Sequence, residues 1–194
     1  MADPRALHTH AIDELRYIRD TMARAGNFSA IPGWGGVAMG ITALAAAALA
    51  GPPAPATRWL GVWFADLTVA VVIALVTIAR KARRSDALLT ATPARRFAQV
   101  MAPPLAAGAV LTAVFVANGL TPRLPGCWLL LYGTSAASAG TMSVRVVPVM
   151  GVLFMTLGLV AFVTPAGWGN LYMAAGFGGL HIIFGAIIAR NYGG

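Results

Sequence analysis

Charge is scarce in this chain, and its scarcity is uneven. Asp, Glu, Lys and Arg make up 10% of the 194 residues, against about a quarter in soluble domains. None of the four occurs between Val146 and Ala189, and Arg123 is the only one between Phe97 and Val144. Stretches of that length without charge exclude a water-facing helix or loop and leave membrane spans joined by short connections. A hydrophobic share of 58% and a mean hydropathy of +0.74 agree with that reading.

Cysteine is almost missing. The lone Cys127 excludes an intramolecular disulfide framework and supplies no metal-ligand spacing, so it reads as a small packing residue. The pair His8 and His10 has no third ligand nearby, and no phosphate-cradling glycine loop precedes a soluble helix. We therefore expect no metal, no cofactor and no enzymatic pattern of the usual soluble kinds. Acidic residues are few as well, six against fourteen basic, which gives a net charge of +8 and a pI near 11.1. Such a balance can mark a nucleic-acid binder, but here the basic residues flank apolar runs, as they do in the cytoplasmic loops of membrane proteins. No nucleic-acid partner is expected.

What is present is a series of apolar runs. A helix crossing a hydrocarbon layer about 30 Å thick needs roughly 20 mostly apolar residues. Six segments meet that need, at about 31–50, 60–79, 97–118, 126–142, 146–163 and 170–189. The fourth and fifth are separated only by Ser143, Val144 and Arg145, where a charge followed by Pro148 favours a tight turn over one continuous helix. The expected fold class is all-α: a membrane bundle of six transmembrane helices over 28–194, preceded by a cytoplasmic amphipathic helix over 1–27.

Twelve of the fourteen basic residues then fall on one side, in the N-terminal segment, in the loop after the second span, at Arg145 and at Arg190; only Arg58 and Arg123 fall on the other. The positive-inside rule places both termini in the cytoplasm. Because the first apolar run begins only at about Ile31, after a polar segment, it is expected to remain as a span rather than be removed as a signal. Arg80, Lys81, Arg83, Arg84, Arg95 and Arg96 form a basic loop suited to anionic lipid head groups at the cytoplasmic face.

In the N-terminal segment, Leu7, Ala11, Leu15, Ile18 and Met22 share one helical stripe, with Asp13, Glu14, Arg16, Arg19, Asp20 and Arg24 on the other faces. Such a helix lies on the leaflet or against the bundle, or docks a cytoplasmic protein partner or a second copy of the chain.

Small residues dominate the fourth span, where Gly133 to Gly140 is an unbroken run of Gly, Ala, Ser and Thr. Backbones approach closely at such positions, which places this helix in the middle of the bundle. Gly36/Gly40 and Ala175/Gly179 repeat the small-xxx-small spacing. Pro32-Gly33-Trp34 and Pro125-Gly126-Cys127-Trp128, 93 residues apart, open the first and fourth spans alike. That match suits a three-plus-three inverted repeat, and equally suits the gathering of Pro, Gly and Trp at membrane boundaries.

Two ionisable residues fall inside the spans, Asp66 in the second and His181 in the sixth. Charge in hydrocarbon is costly, so such residues face the interior and find partners. They sit about six and eleven residues in from the same side, a depth difference of roughly 7–8 Å at 1.5 Å per residue. Together they are candidates for ligand binding or a proton relay. Separately, His181 would be a neutral imidazole bonded to a hydroxyl or carbonyl, and Asp66 a carboxyl within reach of water.

Gly133-Thr134-Ser135 on the fourth span and His181 on the sixth also give the layout a resemblance to the rhomboid intramembrane serine proteases. That resemblance implies Ser135 as nucleophile and His181 as general base. Ala136 stands where the family's serine motif has its second glycine, and the second span has no His-x-x-x-Asn for the oxyanion. As a whole, with Phe28-Ser29-Ala30-Ile31-Pro32-Gly33-Trp34-Gly35-Gly36 as its most distinctive passage, the chain resembles uncharacterised bacterial multi-pass membrane proteins of the cytoplasmic (inner) membrane. Small-solute binding or transport, or membrane-linked signalling through the N-terminal helix, is the expectation, with the hydrolase as the alternative.

The charge pattern has a direct test in reporter fusions. A fluorescent protein joined after Gly194 is expected to fluoresce, and alkaline phosphatase joined after Arg123 to be active; the reverse pattern would invert the topology.

Overall fold

The computed structural model describes residues 14, 15, 17, 31–53, 56–84 and 91–192, with the side chains of 81–84 and 91–93 left aside. Among these residues the chain is helical apart from short turns and contains no strand. The expected amphipathic helix over 1–27 lies outside the described residues, apart from Glu14, Leu15 and Tyr17, which are helical and exposed.

Six helices follow: α1 Gly33–Ala50, α2 Ala56–Arg84, α3 Ala91–Ala117, α4 Leu124–Gly140, α5 Val146–Val163 and α6 over 169–191. Five stretches of them, Gly33–Ala50, Ala56–Arg80, Ala94–Ala117, Val146–Val163 and Ala166–Asn191, are long and apolar enough to cross a membrane. Their outer faces carry exposed Val69, Val72, Leu75, Val110, Val152 and Leu159. Large apolar patches of this kind suit hydrocarbon and not water, and the chain is accordingly a membrane protein.

Local chemistry sets the helix ends. α1 begins after Pro32 and stops at Gly51, whose φ of 68° is the left-handed C-terminal position that glycine takes without penalty. α3 ends in a Schellman arrangement: Leu120 N–H donates to the Phe115 carbonyl at 2.7 Å and Gly119 N–H to Val116 at 3.1 Å, with Gly119 at φ 70°. α2 runs past position 79 to Arg84, and α3 starts at Ala91 rather than 97. The sequence expectation located hydrocarbon thickness, whereas basic helix-formers let a helix continue into the interface, and Pro93 falls in a first turn where no N–H is needed. Pro103 and Pro104 sit inside α3, where they remove the donors for the carbonyls of Gln99 and Val100.

The two arginines on the sparsely charged side are each tied to a helix end. Arg58 donates to the Leu49 carbonyl at 3.2 Å, and Arg123 to the Phe162 carbonyl at 2.7 Å. Both acceptors lie in the last turn of a helix, where carbonyls lack backbone donors and the dipole is negative.

The core is built from backbone contact at glycine. α4 and α5 run antiparallel with Gly126, Gly133 and Gly140 of one against Gly158, Gly151 and Pro148 of the other. A Cβ on Gly133 would lie 2.6 Å from the Gly151 carbonyl oxygen and 2.7 Å from the Met155 nitrogen. A second seam joins α1 to α6: a Cβ on Gly40 would be 2.6 Å from the Gly178 carbonyl oxygen, and one on Gly185 would be 2.7 Å from the Val37 nitrogen. α4 also packs on α3 and α6, which puts it in the middle of the bundle, and α2 packs on α1.

Two details differ from the sequence pattern. Gly36 and Gly40 do meet α6, but their counterparts are Gly178 and Gly185, while Ala175 is exposed and a Cβ on Gly179 would meet only the Ala174 carbonyl oxygen of its own helix, at 3.9 Å. Residues Ala174–Leu180 are π-helical, and the wider turn shifts the angular phase, so an α-helical count from Ala175 marks the wrong face. An inverted repeat would pair the α1–α6 contact with α4–α3, yet Gly126 and Gly133 face α5.

Because a methyl group at Gly133 or Gly151 meets backbone, Gly133→Ala and Gly151→Ala are each expected to cost about 1–3 kcal/mol. Gly61 on α2 has nothing within 4 Å of its Cβ direction, so Gly61→Ala is expected to stabilise by up to about 1 kcal/mol. Thermal midpoints in detergent check both signs.

Candidate functional site

α2 and α3 are consecutive in the chain but do not pack along each other. Between them lies a cleft of about 550 Å³, floored by α1, α4 and α6. Its mouth carries Leu67 and Val71 of α2 and Leu105 of α3, all exposed on the apolar outer surface. At one end it is closed by an aromatic layer. Trp59, fully buried, stacks on Trp128 with centroids 5.2 Å apart, and Trp63 tilts against Trp59 at 6.2 Å.

Polar atoms fix that layer. Asn170, at the start of α6, accepts from the indole N–H of Trp59 at 2.8 Å and of Trp63 at 3.3 Å, while its amide nitrogen donates to the Gly51 carbonyl beyond α1. Trp128 donates to the Thr112 hydroxyl at 2.8 Å, and Thr112 donates to the Gly108 carbonyl at 2.7 Å. Each buried donor thus finds an acceptor, as a low-dielectric interior requires. One amide side chain thereby joins α1, α2 and α6.

His181 stands at the boundary where the π-helical stretch returns to α-helix. Its ring lies among three aromatic rings, Tyr132 and Phe154 with centroids at 5.4 Å and Phe177 stacked at 6.1 Å. Nε2 makes a 2.8 Å hydrogen bond with the Tyr132 hydroxyl. Nδ1 is buried with no hydrogen-bond partner among the described residues; the carbonyls of Gly176 and Phe177 lie beside the ring but outside bonding geometry. Asp66 lies beside Thr42 of α1, and its Oδ1 is buried with no hydrogen-bond partner among the described residues.

Asp66 and His181 line the same cleft, joined there by Tyr132. They are not hydrogen-bonded to each other through those two atoms. Ser135 is not part of the lining: it is fully buried and donates to the Met101 carbonyl of α3 at 3.1 Å, while its neighbour Ala136 faces the cleft. The imidazole is held by Tyr132, and the serine by α3. Arg80, Arg95 and Arg96 are exposed; the side chains of Lys81, Arg83 and Arg84 lie outside those described. No group of three or more His, Cys, Asp or Glu suited to a metal occurs among the described residues.

Tyr132, Asn170 and Thr112 are missed by a search for charges in spans. Their signal in the sequence is a polar-tipped side chain near or within an apolar run, which demands a partner. No protein-family model, curated protein or solved structure matches the chain, so what the cleft can do follows from its own geometry.

The Tyr132–His181 bond anchors the imidazole, and Tyr132→Phe would leave neither ring nitrogen with a partner. A loss of about 1–3 kcal/mol is expected, read as a lowered thermal midpoint; an unchanged midpoint would show that the bond does not hold the ring.

Proposed function

We propose that the protein binds a small, largely apolar solute in the cleft between α2 and α3, as the recognition step of its movement through the membrane. All six helices are spans in this reading. α4, at 17 residues, stands at the short end of the roughly 17–25 residues a membrane helix uses, and the twelve-to-two distribution of Lys and Arg supports cytoplasmic termini. A bacterial inner membrane suits the same pattern.

The observation that carries the reading is the coincidence of Asp66 Oδ1 and His181 Nδ1, two buried polar atoms without a partner among the described residues, on side chains that line one cavity. An unsatisfied polar group in a low-dielectric interior costs about 1–3 kcal/mol, and an incoming ligand that bonds to it recovers that cost. The cavity's 550 Å³ falls within the about 300–1,000 Å³ typical of small-molecule sites. Its lining is apolar with a few polar groups, the composition that gives affinity through burial and orientation through hydrogen bonds. A scaffold role needs a packed interior, and a cavity of this size weakens it.

The neutral fluorophore 1-aminoanthracene supplies the test, with the full chain in lipid nanodiscs and empty nanodiscs as the partition control. Saturable enhancement is expected. Gly108 lines the cleft, and a Cβ there meets only Leu131 Cδ1 at 3.4 Å, so Gly108→Trp is expected to fill the space and abolish the saturable signal. His181→Ala is expected to weaken binding by about fivefold. Equal signals from Gly108→Trp and the unaltered chain would end the proposal.

A further inference from the structure

Among the described residues the cleft is lined by one acidic side chain and no lysine or arginine. That acidic side chain is Asp66. It is also the only acidic residue in any of the six helices. Thr42 is a neutral neighbour, and Oδ1 has no hydrogen-bond partner among the described residues. A carboxylate in that position lacks the cation that buried carboxylates ordinarily require.

Six aromatic side chains, Trp63, Phe64, Phe97, Trp128, Tyr132 and Phe177, share the same lining. Both indoles have their N–H edges engaged, Trp63 by Asn170 and Trp128 by Thr112. What they still offer a ligand is ring surface, whose quadrupole attracts cations.

We propose that the ligand is a lipophilic organic monocation of the quaternary ammonium or phosphonium type, which enters from the hydrocarbon between α2 and α3 and pairs with Asp66 among the aromatic rings. The proposal rests on the binding reading above and deepens it. Other ligand classes meet specific obstacles. An anion would face a carboxylate and no basic side chain. A neutral solute would leave the carboxylate without a counter-charge. A bare inorganic cation would find one carboxylate, one imidazole and mostly apolar walls, with no third His, Cys, Asp or Glu ligand among the described residues. An organic cation brings its own apolar surface to Leu67, Val71 and Leu105 at the mouth, and its charge to Asp66.

The experiment uses tetraphenylphosphonium and the similarly shaped anion tetraphenylborate, each titrated against the full chain in nanodiscs with empty nanodiscs subtracted. Saturable binding of the cation is expected, together with displacement of 1-aminoanthracene, and no saturable binding of the anion. Asp66→Asn, checked for folding by its thermal midpoint, is expected to weaken cation binding by at least about tenfold. Trp63→Leu is expected to weaken it by about threefold or more. The inference is overturned if tetraphenylborate binds as well as the cation, or if a folded Asp66→Asn binds the cation unchanged. The comparison of the two ions in the unaltered chain decides the matter even if the variant does not fold. Binding of 1-aminoanthracene without binding of the cation would reject this ligand class and keep the cleft as a solute site; absence of both would reject the two together.

Discussion

Close backbone approach at glycine is the contact on which the rest of this bundle depends. Inside a bilayer there is no hydrophobic gain in bringing two apolar helices together, because lipid chains are as apolar as leucine; association has to come from packing and polar contacts. Gly126, Gly133 and Gly140 recur every seven residues on α4 and meet Gly158 and Gly151 on α5, themselves seven apart. A heptad spacing keeps one face of an α-helix on its partner. On α1 and α6, Gly33, Gly36 and Gly40 meet Gly185 and Gly178 in the same manner. These two seams hold four helices, and α6 packs against α4 and α5 to join them. α2 and α3 are left outside these seams, α2 packed along α1 and α3 along α4, and the cleft is the space they do not close.

Polar satisfaction decides how that open arrangement keeps its shape. Asn170 bonds two tryptophans of α2 and the carbonyl of Gly51, so the poorly buried α2 is fixed at one end by directional bonds. α3 is fixed through Thr112 to Trp128 and through the Met101 carbonyl to Ser135. Both sets of bonds end on the seam helices. Hydrogen bonds gain weight where the alternative is an unpaired group in hydrocarbon, and two outlying helices can be held by few of them.

The apolar runs and the small residues were legible in the sequence because each depends on local composition. The Gly133 to Gly140 run announced a central helix, and that is where α4 lies. What could not be read was angular phase and partnership. The π-helical Ala174–Leu180 moved the contact of α6 from Ala175 and Gly179 to Gly178 and Gly185, and no periodicity count foresees a π turn. Asp66 and His181 could be singled out one by one, since each is costly in hydrocarbon, but their common cavity depends on α2 and α3 standing apart, a long-range outcome. Tyr132 and Ser135 lie three residues apart on α4; the sequence drew attention to the serine, and the fold gives the imidazole to the tyrosine.

The same geometry makes the cleft electrically polar along its length. Asp66 lies close to the tryptophan layer, one turn beyond Trp63 on α2, whereas Arg80 is 14 residues further along the same helix, about 21 Å at 1.5 Å per residue. Across the space, Arg95 and Arg96 precede the cleft-lining Phe97 on α3. One end of the cleft is therefore bordered by basic residues, and the only carboxylate stands toward the other. Between them the walls are apolar, so the field is screened little by solvent ions. Under the proposed binding of an organic cation, a ligand that reaches this space from the side would be drawn toward Asp66 and held back from the basic end. The position of one aspartate, and not the shape of the cavity alone, then gives the cleft a direction.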